Sequence, residues 1–154
     1  MKDTCSKKSL VLSPLHKAQR QVSLYLDQMT KPIGLAGHEV HLLAYVLRYG
    51  PCPIKELSRV FGQKPSTLTG ILDRLEARSA IVREPHPNDR RSVRIAAGTG
   101  AANLVESCGE KVSAMEDDIC MKVSEEQLAG FHAVLQAIGE ITGIDVRASG
   151  PEDA

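Results

Sequence analysis

The sequence predicts a mainly α-helical fold that carries one small β-hairpin. Apolar residues recur every three or four positions in several separate segments, which is the spacing of one buried helix face. Between residues 80 and 97, two short runs of alternating apolar and polar residues flank the turn-forming stretch His86–Asp89. The chain has 154 residues, about the size of one domain, and only 3% of them are aromatic. Its core must therefore consist mainly of Leu, Val, Ile and Ala side chains.

Two helices are predicted in the first third of the chain. Residues 14–29 carry apolar side chains at helical spacing, and Pro32 ends that pattern. Residues 38–49 form the second helix, and Gly50 follows at the position where a left-handed cap is common. Pro51 then prevents the helix from continuing.

The next two helices, residues 53–61 and 65–78, predict a helix-turn-helix, because a short turn containing Gly62 joins them. The second helix of such a motif presents short polar side chains from its first turns to base edges in the major groove. We therefore predict DNA contacts by the polar face of this helix and by the residue before it: Lys64, Ser66, Thr67, Thr69 and Arg74. Considered alone, Ser66 and Thr67 are explained equally well as solvent-exposed polar residues at the start of a helix.

Three arginines cluster in the hairpin segment HPNDRRSVRI, residues 86–95. An arginine on a thin β-tip fits the narrow minor groove of A·T-rich DNA, where negative potential is concentrated. Asp89 lies two residues before Arg91, where its carboxylate can hold the guanidinium through a bidentate pair. We predict that Arg91 enters the minor groove and that Arg90 and Arg94 contact phosphates. Without the preceding helix-turn-helix, the same hairpin would be interpreted as a solvated turn.

Two further helices are predicted after the hairpin. One starts near Thr99, and the other starts at the capping box Ser124–Gln127 and ends near Gly143. Together with residues 14–29, these helices carry more apolar surface than one small lobe can cover. This excess predicts burial against a second copy of the chain across a two-fold axis. Residues 1–9 and 144–154 are expected to be flexible tails.

The net charge of zero conceals an uneven distribution. Residues 1–94 contain 16 Lys and Arg against 8 Asp and Glu, whereas residues 95–154 contain 3 against 11. The front of the chain is therefore +8 and the back −8. This split predicts one surface that meets a polyanion and another that does not.

The sequence argues against several other functional classes. It contains neither a run near the roughly 18 apolar residues of a membrane span nor a signal-peptide stretch, so we expect a cytoplasmic protein with no membrane partner. The four cysteines lack zinc-site spacing, and we expect reduced thiols and no cofactor. His38 and His41 have the spacing of two metal ligands, but no further ligand cluster accompanies them, so no metal site is predicted. Cys52 lies between two prolines without an adjacent histidine, and no catalytic site or enzyme is expected.

The segment from His38 to Ala96 resembles the winged helix-turn-helix of the multiple-antibiotic-resistance regulator (MarR) family. The order of the flanking helices also agrees, so the resemblance extends over about residues 12–143. The matching motifs are Glu56-Leu57 in the first motif helix, Ser66-Thr67-Leu68-Thr69 and Leu72-Asp73-Arg74-Leu75-Glu76 in the second, and Asp89-Arg90-Arg91-Ser92 in the hairpin, which is the wing of that fold.

The resemblance implies a single domain over residues 1–154 that acts as a homodimeric bacterial transcription regulator. Residues 10–36 and 99–143 would form the dimerisation helices, and residues 38–97 the DNA-binding lobe. The expected partner is double-stranded DNA, in the form of a pseudo-palindromic operator, and the expected role is that of a repressor. Each recognition helix would enter a major groove, while the wing would reach the minor groove.

The resemblance also implies a small effector bound between the dimerisation helices and the DNA-binding lobe. Four basic or titratable side chains lie on the helices concerned: His16, Arg20, His38 and His41. An arginine or histidine there can pair with the carboxylate of a phenolic or aromatic acid. We therefore predict these four residues as the effector site.

The chain departs from the family pattern at several positions. Ser79-Ala80 replace the common Gly-Leu, which predicts a less well capped turn into the hairpin. Ala97-Gly98 replace Leu-Thr, so Gly98 or Thr99 is expected to cap the next helix. Gly70 stands where a larger side chain often faces DNA, which predicts poorer base readout.

Two alternative functions remain open from the sequence. In the first, Cys5, which precedes the first helix, senses oxidants, although only Lys7 and Lys8 lie near enough in sequence to activate it. In the second, the winged helix serves only protein contacts, and salt-sensitive association with DNA would then be absent. The basic wing argues against this second alternative.

Overall fold

The computed structural model describes residues 11–144 and 146, with Arg90 described by its backbone alone. The tails expected at residues 1–9 and 144–154 otherwise lie outside the described residues. The elements confirm a mainly helical fold with a small wing; a 3-10 turn, Lys31–Ile33, lies between the first two helices. In chain order they are α1 (Leu12–Thr30), α2 (Gly37–Tyr49), β1 (Cys52–Pro53), α3 (Ile54–Phe61), α4 (Pro65–Ala77), β2 (Ile81–His86), β3 (Asp89–Ala97), α5 (Ala101–Lys122) and α6 (Glu125–Thr142).

The three strands form one antiparallel sheet in the order β1-β3-β2. The long strands β2 and β3 make the predicted hairpin, with Ile81 opposite Ala97 and an irregularity between Pro85 and His86 near the tip. The strand β1, which the sequence did not predict, pairs Cys52 with Ile95. It attaches the wing to the segment that leads directly into α3.

The buried core belongs to the winged lobe. Its leucines Leu43, Leu57, Leu68 and Leu75 are fully buried, and each contributes about 1.5–3 kcal/mol through burial. They come from α2, α3 and α4, so the helix-turn-helix is fixed to α2 and the sheet through one continuous core. The cluster consists of Leu35, Val40, Leu42, Leu43, Tyr45, Val46, Cys52, Leu57, Leu68, Ile71, Leu72, Leu75, Ala80, Ile81, Ile95, Ala101 and Cys108.

The turn from α4 into the wing is closed by a residue that is not glycine. Ser79 has φ 55°, the left-handed conformation that normally favours glycine. The Ala80 N–H donates to the Leu75 carbonyl at 2.9 Å and satisfies one of the last carbonyls of α4. A Cβ atom at Gly98 would lie 2.3 Å from the Ser79 carbonyl oxygen, so the chain returning from the wing needs glycine there.

Two capping predictions were wrong. Gly50 is extended (φ −73°, ψ 165°) rather than left-handed, and a Cβ atom there would lie 2.4 Å from the Val46 carbonyl oxygen. The position requires the absence of a side chain, not a positive φ. The helix α5 begins at Ala101 after Gly100, so neither Gly98 nor Thr99 caps it.

The first and last helices contribute little to the core. In α1 only Thr30 is buried, and α6 has no buried side chain, although Ser124 and Gln127 form its predicted capping box. Phe131 is 50% exposed and Ile141 is 84% exposed on α6. The apolar excess predicted for these helices is therefore uncovered in the single chain. None of the described helices has an apolar stretch long enough to cross a bilayer.

Candidate nucleic-acid interface

The start of α4 displays short polar side chains. Lys64 precedes the helix in an extended conformation and is exposed, as are Ser66, Thr67 and Thr69. The Thr69 hydroxyl donates to the Pro65 carbonyl at 2.9 Å. The hydroxyls of Ser66 and Thr67 bond to no other described residue. These two groups can therefore form hydrogen bonds with a ligand without losing an internal partner.

Arg74 is also exposed, but its guanidinium has an internal partner. Its Nε and Nη2 donate to Oε1 of Glu39 at 2.8 and 2.5 Å. The other carboxylate oxygen of Glu39 accepts from the Ala36 N–H at 2.9 Å. The Glu39 side chain is only 5% exposed, whereas that of Arg74 is 61% exposed. Arg74 therefore joins α4 to the start of α2, in addition to any contact with DNA.

Two further arginines form contacts between the α4 region and neighbouring elements. Arg78 donates to the carbonyls of Ile33 and Gly34 at 2.7 and 3.0 Å, at the turn between α1 and α2. Arg83 on β2 forms ion pairs with Asp73, at 2.7 Å, and with Glu76. Neither these two arginines nor Glu39 was predicted from the sequence. The partners of Glu39 and Arg78 lie 35 to 45 residues away, so no local pattern distinguishes them from solvated charges.

At the wing tip, the prediction of a carboxylate–guanidinium pair between Asp89 and Arg91 was wrong. Asp89 instead accepts from the Ser92 hydroxyl at 2.6 Å and from the Arg91 backbone N–H at 2.9 Å. These two bonds lower the pKa of Asp89. A short carboxylate in a turn reaches the backbone two residues ahead more easily than a long side chain. The Arg91 guanidinium is exposed and has no partner among the described residues.

The other two wing arginines differ from Arg91. Arg94 forms a cross-strand ion pair with Glu84 at 2.6 Å, and its side chain is only 22% exposed. It lies in the middle of the sheet, opposite Pro53 on β1 and Glu84 on β2. The side chain of Arg90 lies outside the described part of the structure. Of the arginines in residues 86–95 whose side chains are described, Arg91 is therefore the one available to a ligand.

The four predicted effector residues do not meet in one site. A cavity of about 480 Å³ lies between α1, α2 and α5, and His41 is the one predicted residue that lines it. His16 and Arg20 line a separate shallow concavity on α1. His38 is exposed and lines neither of these two. The four residues lie on α1 and α2, but their side chains point to different places.

Neither the cysteines nor the histidines form a reactive cluster in the described part of the chain. Cys52 and Cys108 are buried and Cys120 is exposed. Burial, together with the nearby Glu56 carboxylate, raises the pKa of the Cys52 thiol to about 12, so this thiol is protonated at neutral pH. Cys5, the candidate redox sensor, lies outside the described residues. Within those residues, no three His, Cys, Asp or Glu side chains are placed to hold a metal ion.

Known proteins share both the sequence pattern and the fold. The chain is 31% identical over 129 residues to the HTH-type transcriptional regulator PecS of Dickeya dadantii (strain 3937), covering 82% of this chain and 78% of that protein. It is 24% identical over 127 residues to the multiple antibiotic resistance protein MarR of Escherichia coli (strain K12), covering 80% and 87%. Its fold matches the S. aureus MepR–DNA complex with a TM-score of 0.76 at 19% identity, over 85% of this chain and 97% of that chain. Residues 38–93 match the MarR family. The chain therefore belongs to the MarR family of transcriptional regulators.

Proposed function

We propose that this regulator binds double-stranded DNA by placing α4 in a major groove and the wing tip in the adjacent minor groove. The observation that supports this assignment is the set of exposed groups that have no internal partner. Ser66 and Thr67 provide hydroxyls at the start of α4, and Arg91 provides a guanidinium at the wing. Such groups lose no internal bond when DNA binds. We assign base contacts to the hydroxyls and the minor groove to Arg91.

The remaining cations of the predicted site have secondary roles in this proposal. Lys64 is exposed beside the start of α4, and we assign it to a phosphate, as we do Arg90. Arg74 and Arg94 would first have to leave Glu39 and Glu84, or share these partners with DNA. Their contribution to affinity should therefore be smaller than that of an unpaired arginine.

Selection from a random duplex library identifies the bound sequence, and fluorescence anisotropy then compares that sequence with random DNA at two salt concentrations. We expect Arg91→Ala to weaken binding to the selected site by about 1–3 kcal/mol and to reduce the preference for A·T flanks. Lys64→Ala should weaken both DNAs about equally and reduce the salt slope by about 1. Absence of any salt-sensitive DNA association would overturn the proposal and favour a winged helix used for protein contacts.

We further propose that the chain acts as a homodimer, with α1, α5 and α6 as the dimerisation helices. Their uncovered apolar side chains support this assignment, because large exposed patches on single chains mark interaction surfaces. Sedimentation equilibrium near micromolar concentration should give twice the chain mass of 16.7 kDa. Phe131→Asp on α6 should produce monomers, whereas Leu47→Asp on the exposed side of α2 should not. A monomeric wild-type protein that binds palindromic DNA tightly would contradict the dimer.

A dimer with two α4 helices would read a pseudo-palindromic operator in the cytoplasm, where bacterial DNA lies. We propose that it represses transcription and that a small effector in the cavity between α1, α2 and α5 relieves the repression. An effector there contacts both a dimerisation helix and the lobe, so it can change the spacing of the two α4 helices. A reporter gene behind the selected site should be expressed less when the protein is present. Higher expression would indicate an activator instead.

A further inference from the structure

The cavity between α1, α2 and α5 has a distinct chemical character. Its walls are mainly aliphatic, and its volume of about 480 Å³ is within the range of small-molecule sites. Small residues on two of the helices, Gly37, Ala44 and Gly109, leave the space open. The lining residues are Val22, Leu26, Met29, Thr30, Gly37, Val40, His41, Ala44, Val105, Cys108, Gly109, Val112, Ser113 and Glu116.

The charge of the lining is negative. Among the described residues that line the cavity, Glu116 is the one carboxylate, and neither Lys nor Arg is present. Glu116 is exposed and forms no ion pair with a described residue, so solvent alone screens its charge. The helix α5, which carries Glu116, has the same sign, with 5 acidic against 2 basic side chains, whereas α1 and α2 together hold 2 acidic and 3 basic side chains.

His41 does not supply a compensating positive charge. Its ring packs edge-on against Phe61, with ring centroids 5.1 Å apart. Burial lowers the pKa of His41 below its ordinary value of 6.5, so the imidazole is neutral at neutral pH. A neutral imidazole can donate one hydrogen bond and accept another, but it carries no net charge that attracts an anion. The cavity therefore offers hydroxyl and imidazole groups, one carboxylate and a large apolar surface.

We propose that this cavity binds an aromatic or amphiphilic organic cation, with Glu116 as the counter-ion and the aliphatic walls around the apolar part. The inference rests on the proposed function, because it names the chemical class of the effector at that same site. It replaces the phenolic or aromatic acid predicted from the sequence. An acid would bring a second carboxylate close to the exposed Glu116, and the two like charges would repel each other.

Two probes with the same ring and opposite charge test the selectivity. Isothermal titration calorimetry of the full chain would compare (1-naphthylmethyl)trimethylammonium with 1-naphthylacetate. We expect the cation to bind at least about tenfold more tightly. Glu116→Gln should weaken binding of the cation about 3- to 5-fold, the effect of one exposed ion pair, and should bring the affinities of the two probes close together.

Two further variants control the experiment. Glu110→Gln removes the same charge from an exposed position on α5 that does not line the cavity, and both affinities should change less than about twofold. Gly109→Leu should fill the cavity and abolish binding of both probes, because a Cβ atom at Gly109 meets no neighbouring atom within 4 Å. Circular dichroism would confirm that each variant is folded.

Three outcomes would overturn the inference: tighter binding of naphthylacetate, an unchanged affinity in Glu116→Gln, or no binding of either probe at millimolar concentration. The last result would mean that side chains of the second copy occupy the space. DNA binding is measured separately on wild type and Glu116→Gln. If both bind the selected DNA while charge selectivity is absent, only this inference fails. If wild type binds no DNA, the proposed function fails.

Discussion

At the scale of single residues, Asp89 has two opposing effects on DNA binding. Its negative charge repels phosphates, but its two oxygens hold the Ser92 hydroxyl and the Arg91 backbone N–H. Removal of the side chain therefore removes a repulsion and also frees the backbone that carries Arg91. If the loss of backbone order is the larger effect, the wing tip binds DNA through its geometry. If the loss of repulsion is larger, the wing tip acts only as a basic patch.

We expect Asp89→Ala to weaken binding to the selected DNA, because the loss of tip geometry exceeds the gain in charge. Asp89→Asn should bind more tightly than Asp89→Ala, since the amide oxygen still accepts from the Arg91 N–H. Ser92→Ala serves as a charge-neutral control and should have a small effect. Fluorescence anisotropy on selected and random DNA provides the measurement. If both Asp89 variants bind DNA equally well and more tightly than the wild type, charge alone determines the effect of Asp89.

The sequence predicted the position of the wing turn correctly but not the bonding partners of the Asp89 carboxylate. The wing turn, Asp89 and Arg91 were identified because turn residues and alternation are local signals. The partner of the carboxylate was wrong, since two neighbouring donors of Arg91 compete and only the three-dimensional turn decides between them. Glu39 was missed altogether because its partner, Arg74, lies 35 residues away.

At the scale of elements, the backbone conformation of Ser79 limits the stability of the junction between α4 and the wing. A side chain in the left-handed region costs about 1–2 kcal/mol relative to glycine. We therefore expect Ser79→Gly to raise the free energy of unfolding by about 1 kcal/mol. Gly62→Ser should have the opposite sign, because Gly62 has φ 60° between α3 and α4. Urea denaturation measures the free energy of unfolding of both variants, and an unchanged m-value shows that the denatured states are comparable.

An unchanged or lower stability of Ser79→Gly would contradict this account. It would mean that the serine hydroxyl contributes more than the strain costs. The sequence alone indicated a weaker cap at this position, and the structure supplies the cause in the sign of φ.

The orientation of α4 depends on a half-buried ion pair that crosses from α2. Glu39 is almost fully buried while Arg74 is exposed, so solvent screening reduces the strength of their interaction. A double-mutant cycle with Glu39→Gln and Arg74→Gln should give a coupling free energy of about 1–2 kcal/mol. The exposed pair of Arg83 and Asp73 is the control and should couple by less than about 1 kcal/mol.

Urea denaturation of the four proteins of each cycle gives these values. Additive effects in the Glu39–Arg74 cycle, within about 0.3 kcal/mol, would show that the pair does not fix the two helices. Helix periodicity predicted both α2 and α4, but periodicity describes each helix by itself. Contacts between helices depend on packing that no local window contains, and the strand β1 was missed because two residues show no alternation.

At the scale of the whole molecule, the chain has two unequal parts. The winged lobe contains almost all buried side chains, whereas α1 and α6 leave their apolar faces uncovered. Net charge divides the chain differently, because the positive excess lies before residue 95, a part that includes α1, and the negative excess lies after it. The negative charge of the C-terminal part repels DNA. DNA should therefore approach the lobe from the side away from α5 and α6.

Within the lobe, the short strand β1 has a consequence for the length of DNA that is read. It pairs with β3 of the wing and continues directly into α3, while Arg83 connects the wing to α4. The wing tip and the start of α4 are thus held at a fixed distance from each other. An operator must place its A·T flank at a fixed number of base pairs from the bases that α4 contacts.

One base pair inserted between these two parts would displace the flank by about 3.4 Å and rotate it by about 34°. Anisotropy measurements should then show that the wild-type protein binds this DNA no better than Arg91→Ala binds the original. Full affinity for the lengthened site would mean that the wing follows the minor groove independently. A fixed separation of wing tip and α4 would instead restrict the regulator to operators of one spacing. A single inserted base pair would then remove a promoter from its control without altering any base that it contacts.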